Sequence, residues 1–479
     1  MSTRKALALS FLDRYSGLVI HTASSMLIAR LLTPSEIGVY SVTMVLLGFI
    51  ATFRDLGAGQ YLVQNRNLSE EKMRATWSVQ LALGLILALI VLAAAVPAAG
   101  FYDEPQIYDI MLVLALNFAI TPFLAYPNAW LVREMRFGSI AAVRFVGALV
   151  HAASAVTMAW LGFGPVSLAW ANALTTVASI IAIWAIAQPS LPWRPIVRGI
   201  GDVVSFGGKL TATSLMNTLS AGAPELLLGK IHGMVEAGLF SRGQGLVTMF
   251  QRLVMDAVNS VALPYFAKQS RESGNVGVSF LVAMELITGL GWAFFFGIAL
   301  MAYPAIRILY GPQWDEAVDP ARWLAIACAF SIPAAICPPV LIAIGAVNDV
   351  LKATLLSTLS ALTATAIGTF LGLLALSQCL IVSGALASAI WIATARKHID
   401  FAIAPMLLVW GKSMLVAVGA SLASVVVILH WGWRSSELLV PALLSGIGGA
   451  FGALLLAWAT KHRLWLEIQR AIVARLGRA

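Results

Sequence analysis

Charge is what this chain has least of. Acidic and basic side chains make up 11% of its 479 residues, against about a quarter in an ordinary soluble domain. A fold in water could not conceal the 60% that is hydrophobic, so the solvent this chain is built for is the hydrocarbon of a bilayer. Cysteine is nearly missing. Cys328, Cys337 and Cys379 stand apart in apolar runs, with no CxxC pair and no Cys/His spacing of a zinc site, which excludes a disulfide scaffold or zinc module. Long polar segments are missing as well. The longest loop, around "QNRNLSEEKMR", is under about twenty residues and leaves no room for a soluble domain. The nucleotide-cradling GxxxxGK[ST] is absent, because "SFGGKLT" (205–211) lacks the first glycine, and neither GxSxG nor HExxH occurs. No ATP hydrolysis, metal site or cofactor is expected. The net charge of +9 is spread thinly over many loops without interleaved aromatics, so nucleic acid is not an expected partner. Asp13 and Arg14 interrupt the first apolar run and no small-residue cleavage site follows, so that segment reads as a retained helix, not a signal peptide.

What is present is a series of apolar runs, each about 20 residues, the length that spans a bilayer as a helix. Fourteen such spans are expected. With the N-terminus inside, the loops on the cytoplasmic side collect nineteen Lys and Arg, while the other side holds only Arg30, Lys230, Arg307, Arg322 and Arg434. That bias orients the chain with both termini in the cytoplasm.

Two phrases recur. "EIGVYS" (36–41) returns as "EAGLFS" (236–241), and the acidic loop "FYDEPQIYD" (101–109) returns as "LYGPQWDEAVD" (309–319). The order and the offset of roughly two hundred residues are shared, which points to an internal duplication in parallel orientation. The expected organisation is an all-α polytopic membrane protein: a first six-helix lobe over 1–190, a second over 191–400 related to it by pseudo-two-fold symmetry, two added spans over 401–460, and a basic amphipathic tail over 461–479 that lies on the anionic inner leaflet. The glycine of each phrase suits close helix packing and its glutamate suits a helix N-terminus. "GIGGAFG" (446–452) reads as a packing motif.

Chemistry must then come from charges inside the spans, each costing at least about 2.5 kcal/mol to place there. At about 100° per residue, Arg242, Arg252, Asp256 and Asn259 share one helix face, Lys209 and Asn217 another, and Asp13, Arg14 and His21 a third. Arg144 heads a stripe with His151 and Ser154. Together these polar faces suit one wet, net cationic cavity. Arg252 and Asp256 are also spaced to pair with each other, and Arg54, Asp55 and Lys412 read as structural charges near span ends. Glu225 follows Pro224, where a kink beside a carboxylate could bind a proton or cation.

The stretch from "RPIVRGIGDVV" to "EAGLFSRGQGLVTMF", with Glu225 before "LLLG" and then Gly238, Leu239, Phe240 and Ser241, resembles the polysaccharide transporter family of the multidrug/oligosaccharidyl-lipid/polysaccharide flippase superfamily, the Wzx-like flippases. "LIARLLTPSEIGVYSV" and "LYGPQW" fit the same family. Where the family often has Asp before "LLLG", this chain has Glu225. The resemblance implies a two-lobed, non-enzymatic transporter of the bacterial inner membrane. It would move a polyprenyl-diphosphate-linked glycan between leaflets by alternating access. Arg14, Arg144, Lys209, Arg242 and Arg252 would meet the diphosphate, Asn217 and Asn259 the sugar hydroxyls, and Glu225 and Asp256 a coupling ion. Membrane lipids, and a polysaccharide polymerase with its export machinery, are the partners implied; a monomer is expected. A drug antiporter would favour acidic residues in the cavity instead, and a glycan polymerase or ligase would need a large outer loop.

Overall fold

The computed structural model describes residues 3–54, 58–64, 69–188, 192, 194–196, 200–272 and 276–476; the side chains of 3–15 and 202–213, and a few others, lie outside the description. Among the described residues all regular structure is helical. The chain divides by packing into two units, Met1–Gly238 and Leu239–Ala479.

The first unit holds α1 (Thr3–Leu31), α2 (Pro34–Arg54), α3 (Ala58–Gln64), α4 (Glu70–Tyr102), α5 (Pro105–Ile120), α6 (Pro122–Arg133), α7 (Phe137–Trp160), α8 (Val166–Ala187), α9 (Ile200–Ile231) and the start of α10 (Met234–Phe250). The second holds the rest of α10, then α11 (Asp256–Glu272), α12 (Gly277–Leu309), α13 (Val318–Ser331), α14 (Cys337–Ala343), α15 (Val347–Phe370), α16 (Leu373–Arg396), α17 (Ile403–Trp431), α18 (Leu439–Ala459) and α19 (Arg463–Leu476). Ten helical stretches among the described residues are long and apolar enough to cross a membrane, or eleven with the bent pair α5–α6 counted as one span. The expected count of fourteen is therefore not established. The three expected spans short of the measure are α1, α9 and α10–α11, the last divided by Gln251–Met255 into two helices of 17 residues.

Each unit repeats one packing pattern. In the first, α4 packs on α5, α5 on α8, and α7 on α8; in the second, α12 packs on α13, α13 on α16, and α15 on α16. Each look-alike loop contains a residue at positive φ, but the turns differ: Asp103 is left-handed helical (φ 56°, ψ 34°) and Gly311 is extended in ψ (φ 101°, ψ 175°). α9 breaks the pattern. Its counterpart α1 packs on α7, whereas α9 packs on α2 and α4.

Local chemistry explains where the helices start and bend. α2 opens with a reciprocal cap: the Thr33 backbone N–H donates to Glu36 Oε2 at 2.8 Å and the Glu36 N–H donates to Thr33 Oγ1 at 3.3 Å. α12 loses helical geometry at Met301 (φ −99°, ψ 18°), three residues before Pro304, whose ring cannot sit against the preceding turn. Spans in lipid associate through close contact of small residues, having no water to expel. In the α17–α18 hairpin a Cβ on Gly452 would stand 2.2 Å from Gly419 O, and one on Gly449 would stand 2.7 Å from Ala420 O. "GIGGAFG" is thus a packing motif.

The recurring phrases meet each other. A Cβ on Gly38 would lie 1.7 Å from Met234 O, and one on Gly238 would lie 1.9 Å from Pro34 O. The two glycines let α2 and the start of α10 cross backbone to backbone. Below the crossing, Gly229 and Gly222 of α9 receive Val42 and Val45 of α2. Beside it, Lys230 Nζ donates to Phe101 O at 2.5 Å, at the C-terminus of α4, and stands 3.8 Å from the Asp103 carboxylate.

Candidate functional site

The residues expected to line a cationic interior fall in several places. Arg144 is exposed on α7, whose buried face is instead Ile140, Val143, Gly147, Ala155 and Ala159. Asn217 is exposed on α9, one residue before Thr218, whose hydroxyl lies 3.3 Å from that of Thr52 on α2. Glu225 is half-buried on α9, directly after Pro224. In the second unit Arg242 is half-buried, its guanidinium 5.3 Å from the ring centroids of both Tyr310 and Trp314. Those rings belong to the loop "LYGPQW", so Arg242 ties α10 to it. Asp256 and Asn259 are exposed on α11. Arg14, Lys209 and Arg252 lie on helical backbone, but their side chains are outside the described residues.

One feature of the backbone alters the face counting. Gln251–Met255 is a π turn between α10 and α11. Its i→i+5 bonds insert one residue, which turns the following helix by about 100°. Asp256 and Asn259 are rotated by that amount from the face they would share with Arg242 on a continuous α-helix.

A cavity of about 450 Å³ lies wholly within the first unit. It is made by a broken span. α5 ends at Ile120 and α6 starts at Pro122, bent by 46°; Pro122 offers no N–H to continue the ladder. Gly84 of α4 makes room for that proline, since a Cβ there would stand 2.6 Å from Pro122 Cγ. α3 closes another side. It is held by Arg133 at the end of α6, which donates to Leu62 O at 2.7 Å. The polar groups on the wall are Arg54, Gln80, Thr121 and Asn128; Val63, Pro122 and Val132 supply apolar surface. Arg54 also sits 5.6 Å from the Phe118 ring centroid. Gln80 is buried, and its carbonyl oxygen has no hydrogen-bond partner among the described residues.

The sequence reading assigned Arg54 a structural part and passed over Gln80 and Asn128. A signal for them was present. Pro122 and Pro127 of the fourth span recur as Pro333 and Pro338 in the second half, and the structure breaks there too, between α13 and α14. Proline-interrupted segments at matching positions of two repeats point to binding sites.

A second polar cluster lies in the other unit. Glu285, on α12, is buried and accepts the Arg463 N–H through Oε1 at 3.0 Å. His462 is fully buried, its Nδ1 accepting the Leu464 N–H at 3.1 Å. Ser413 of α17 lies 3.2 Å from His462 Nε2 and 2.8 Å from Thr288 Oγ1. Glu285 and His462 thereby cap the first turn of α19 from two sides. Among the described residues no group of three His, Cys, Asp or Glu side chains is placed to hold a metal ion.

Residues 27–319 match the family described as "Polysaccharide biosynthesis protein". The chain is 22% identical over 319 residues to the succinoglycan biosynthesis transport protein ExoT of Rhizobium meliloti (strain 1021), covering 67% of this chain and 65% of that relative. It is 19% identical over 309 residues to the lipopolysaccharide biosynthesis protein WzxC of Escherichia coli (strain K12), covering 62% of this chain and 61% of that one. The match thus spans less than two thirds of the length of these curated relatives. Among solved structures, the lipid II flippase MurJ in an inward closed conformation superposes with a TM-score of 0.72, at 12% identity, over 95% of this chain and 99% of its own. That likeness establishes the fold.

Proposed function

This chain belongs to the polysaccharide biosynthesis protein family, and we propose that it moves a polyprenyl-diphosphate-linked oligosaccharide across the bacterial inner membrane during surface or exopolysaccharide synthesis. The family match over residues 27–319 carries the reading. The reading is of a transporter, not an enzyme. It is supported by a relative named as a succinoglycan biosynthesis transport protein and by a fold likeness to a lipid flippase. Both termini would be cytoplasmic. Two six-helix lobes, 1–190 and 191–400, would alternate access to a shared wet interior. Residues 401–460 would be an appendage, and 461–479 would rest on the inner leaflet.

A diphosphate in a low-dielectric interior needs cations. Arg14, Arg144, Lys209, Arg242 and Arg252 are the proposed partners, with Asn217 and Asn259 meeting hydroxyls and Glu225 and Asp256 taking a coupling ion. Deleting the gene should leave lipid-linked glycan stranded in the inner leaflet; normal surface polysaccharide with no such build-up would sink the proposal. Within it, two arginines should behave differently. Arg144 is exposed, so Arg144→Ala should cut rescue of the deletion at least about 10-fold at an unchanged protein level. Arg242→Ala forfeits two ring contacts, worth about 0.5–2 kcal/mol each, so it should lower the protein level as well. Quantitative immunoblots beside polysaccharide assays separate the two.

A further inference from the structure

We propose that the cavity at the α5–α6 bend is a binding pocket for one sugar residue of a glycan. This rests on the transport reading above and specifies where in the chain a sugar is recognised. Gln80 is 8% exposed, lines the cavity, and carries an amide oxygen without a partner among the described residues. A buried amide without a partner is unstable unless something else supplies the bond. The end of a glutamine side chain turns easily about its last torsion and can present either its oxygen or its NH₂. Asn128, on α6, brings a second amide to the same wall. Thr121 donates its proton to Asn117 O at 2.6 Å, so its oxygen stays able to accept. Arg54 contributes donors only.

Each alternative occupant fits this wall less well. A metal ion or organic cation would face Arg54 with no carboxylate among the described lining residues. An acyl chain would offer the buried Gln80 oxygen no donor. A phosphate would suit Arg54 and could accept from an amide NH₂, but it offers no proton, so whichever way Gln80 turns, its oxygen gains no donor from it. A sugar hydroxyl both donates and accepts, as the amides do. The C–H faces of a pyranose ring would meet Pro122, Val63 and Val132. The volume agrees: about 450 Å³ is near the lower end of ligand sites, about 300–1,000 Å³. It has room for a sugar unit, not for a whole lipid-linked glycan. The cavity also sits at a helix break, where membrane transporters expose backbone to a substrate.

The test is photocrosslinking in cells that make the polysaccharide, with full-length protein carrying benzoylphenylalanine in place of Ala125 on the cavity wall. Val132 is the second placement should the first fail to rescue the deletion. Mass spectrometry of the purified adduct should find a hexose-containing species. Gln80→Leu and Asn128→Leu should each reduce that adduct at least 5-fold at equal protein level, while an adduct formed from position 217 persists. Adducts containing only phospholipid would overturn the proposal. So would an absence of glycan adduct from both placements in cells whose export is intact. In either case the gene deletion still decides the transport reading separately, because stranded lipid-linked glycan would uphold that reading without the pocket.

Discussion

Gly38→Val and Gly238→Val will each unseat α2 from the start of α10, and their protein should not survive purification intact. At Gly38 the new Cβ would lie 1.7 Å from Met234 O, and at Gly238 it would lie 1.9 Å from Pro34 O. Both obstacles are backbone carbonyls of helices, with no side chain to swing aside, so the helices themselves must separate. Separation also loosens Gly229 on Val42 and Gly222 on Val45 along the same seam. Overpacking a tight contact costs about 1–3 kcal/mol and sometimes more, and here no relaxed path exists. Alanine at either position should act in the same direction. The paired glycines press on one crossing, so the double substitution should cost less than the sum of the singles. Gly411→Ala is the control. Nothing lies within 4 Å of a Cβ there, and alanine in a helix interior should stabilise by about 0.5–1 kcal/mol. Yield of intact protein reads the valine substitutions, and thermal unfolding in detergent reads every variant that can be purified. A Gly38→Val protein as stable as the parent would show that the crossing contributes nothing.

Glu285→Ala should be nearly as damaging. It strips the Arg463 N–H of its acceptor and leaves a void beside His462, while the Ser413 bond to the residue 285 backbone carbonyl is kept. A buried donor left without a partner costs about 1–3 kcal/mol, and the cavity adds to that. Glu285→Gln keeps an oxygen for the Arg463 N–H and should cost clearly less. The cluster also makes stability depend on pH. Burial, assisted by the Lys412 charge and opposed by Glu285, holds the His462 pKa below its ordinary value of 6.5. Between that lowered pKa and 6.5 the unfolded chain binds a proton that the folded chain refuses, so stability is full above 6.5 and declines as pH falls beneath it. Protonation of Nδ1 would also remove the acceptor for the Leu464 N–H. His462→Asn, which can still cap α19, should flatten the dependence. The check is unfolding temperature from pH 8 to pH 5.5 for both proteins; parallel curves would contradict the assignment.

These two sites show what kind of information a single chain reveals. Hydropathy and loop charge are local sums, so helices in a membrane could be read directly, and the family resemblance rested on contiguous motifs. The doubled phrase was legible as a repeat. Its glutamate was expected to suit a helix N-terminus, and Glu36 indeed closes a cap with Thr33. That its two copies touch was not legible, because no local rule brings residue 38 to residue 238. A face shared along α10 and α11 requires an unbroken 3.6-residue period, which the π turn at Gln251–Met255 interrupts. Arg54 near a span end suggested a snorkelling charge; only the bend at Pro122 and the return of α3 give it a cavity to line.

The amino-acid sequence by itself determined the solvent, the helical class, the duplication and the family, since each follows from composition or from order along the chain. Tertiary structure alone decided which glycines oppose which carbonyls, where a broken span leaves an opening, and that Glu285 should cap a helix beginning at Arg463. The reason is physical. Apolar burial and helix periodicity act over a few residues, whereas steric fit and a satisfied buried hydrogen bond depend on atoms that only packing brings together.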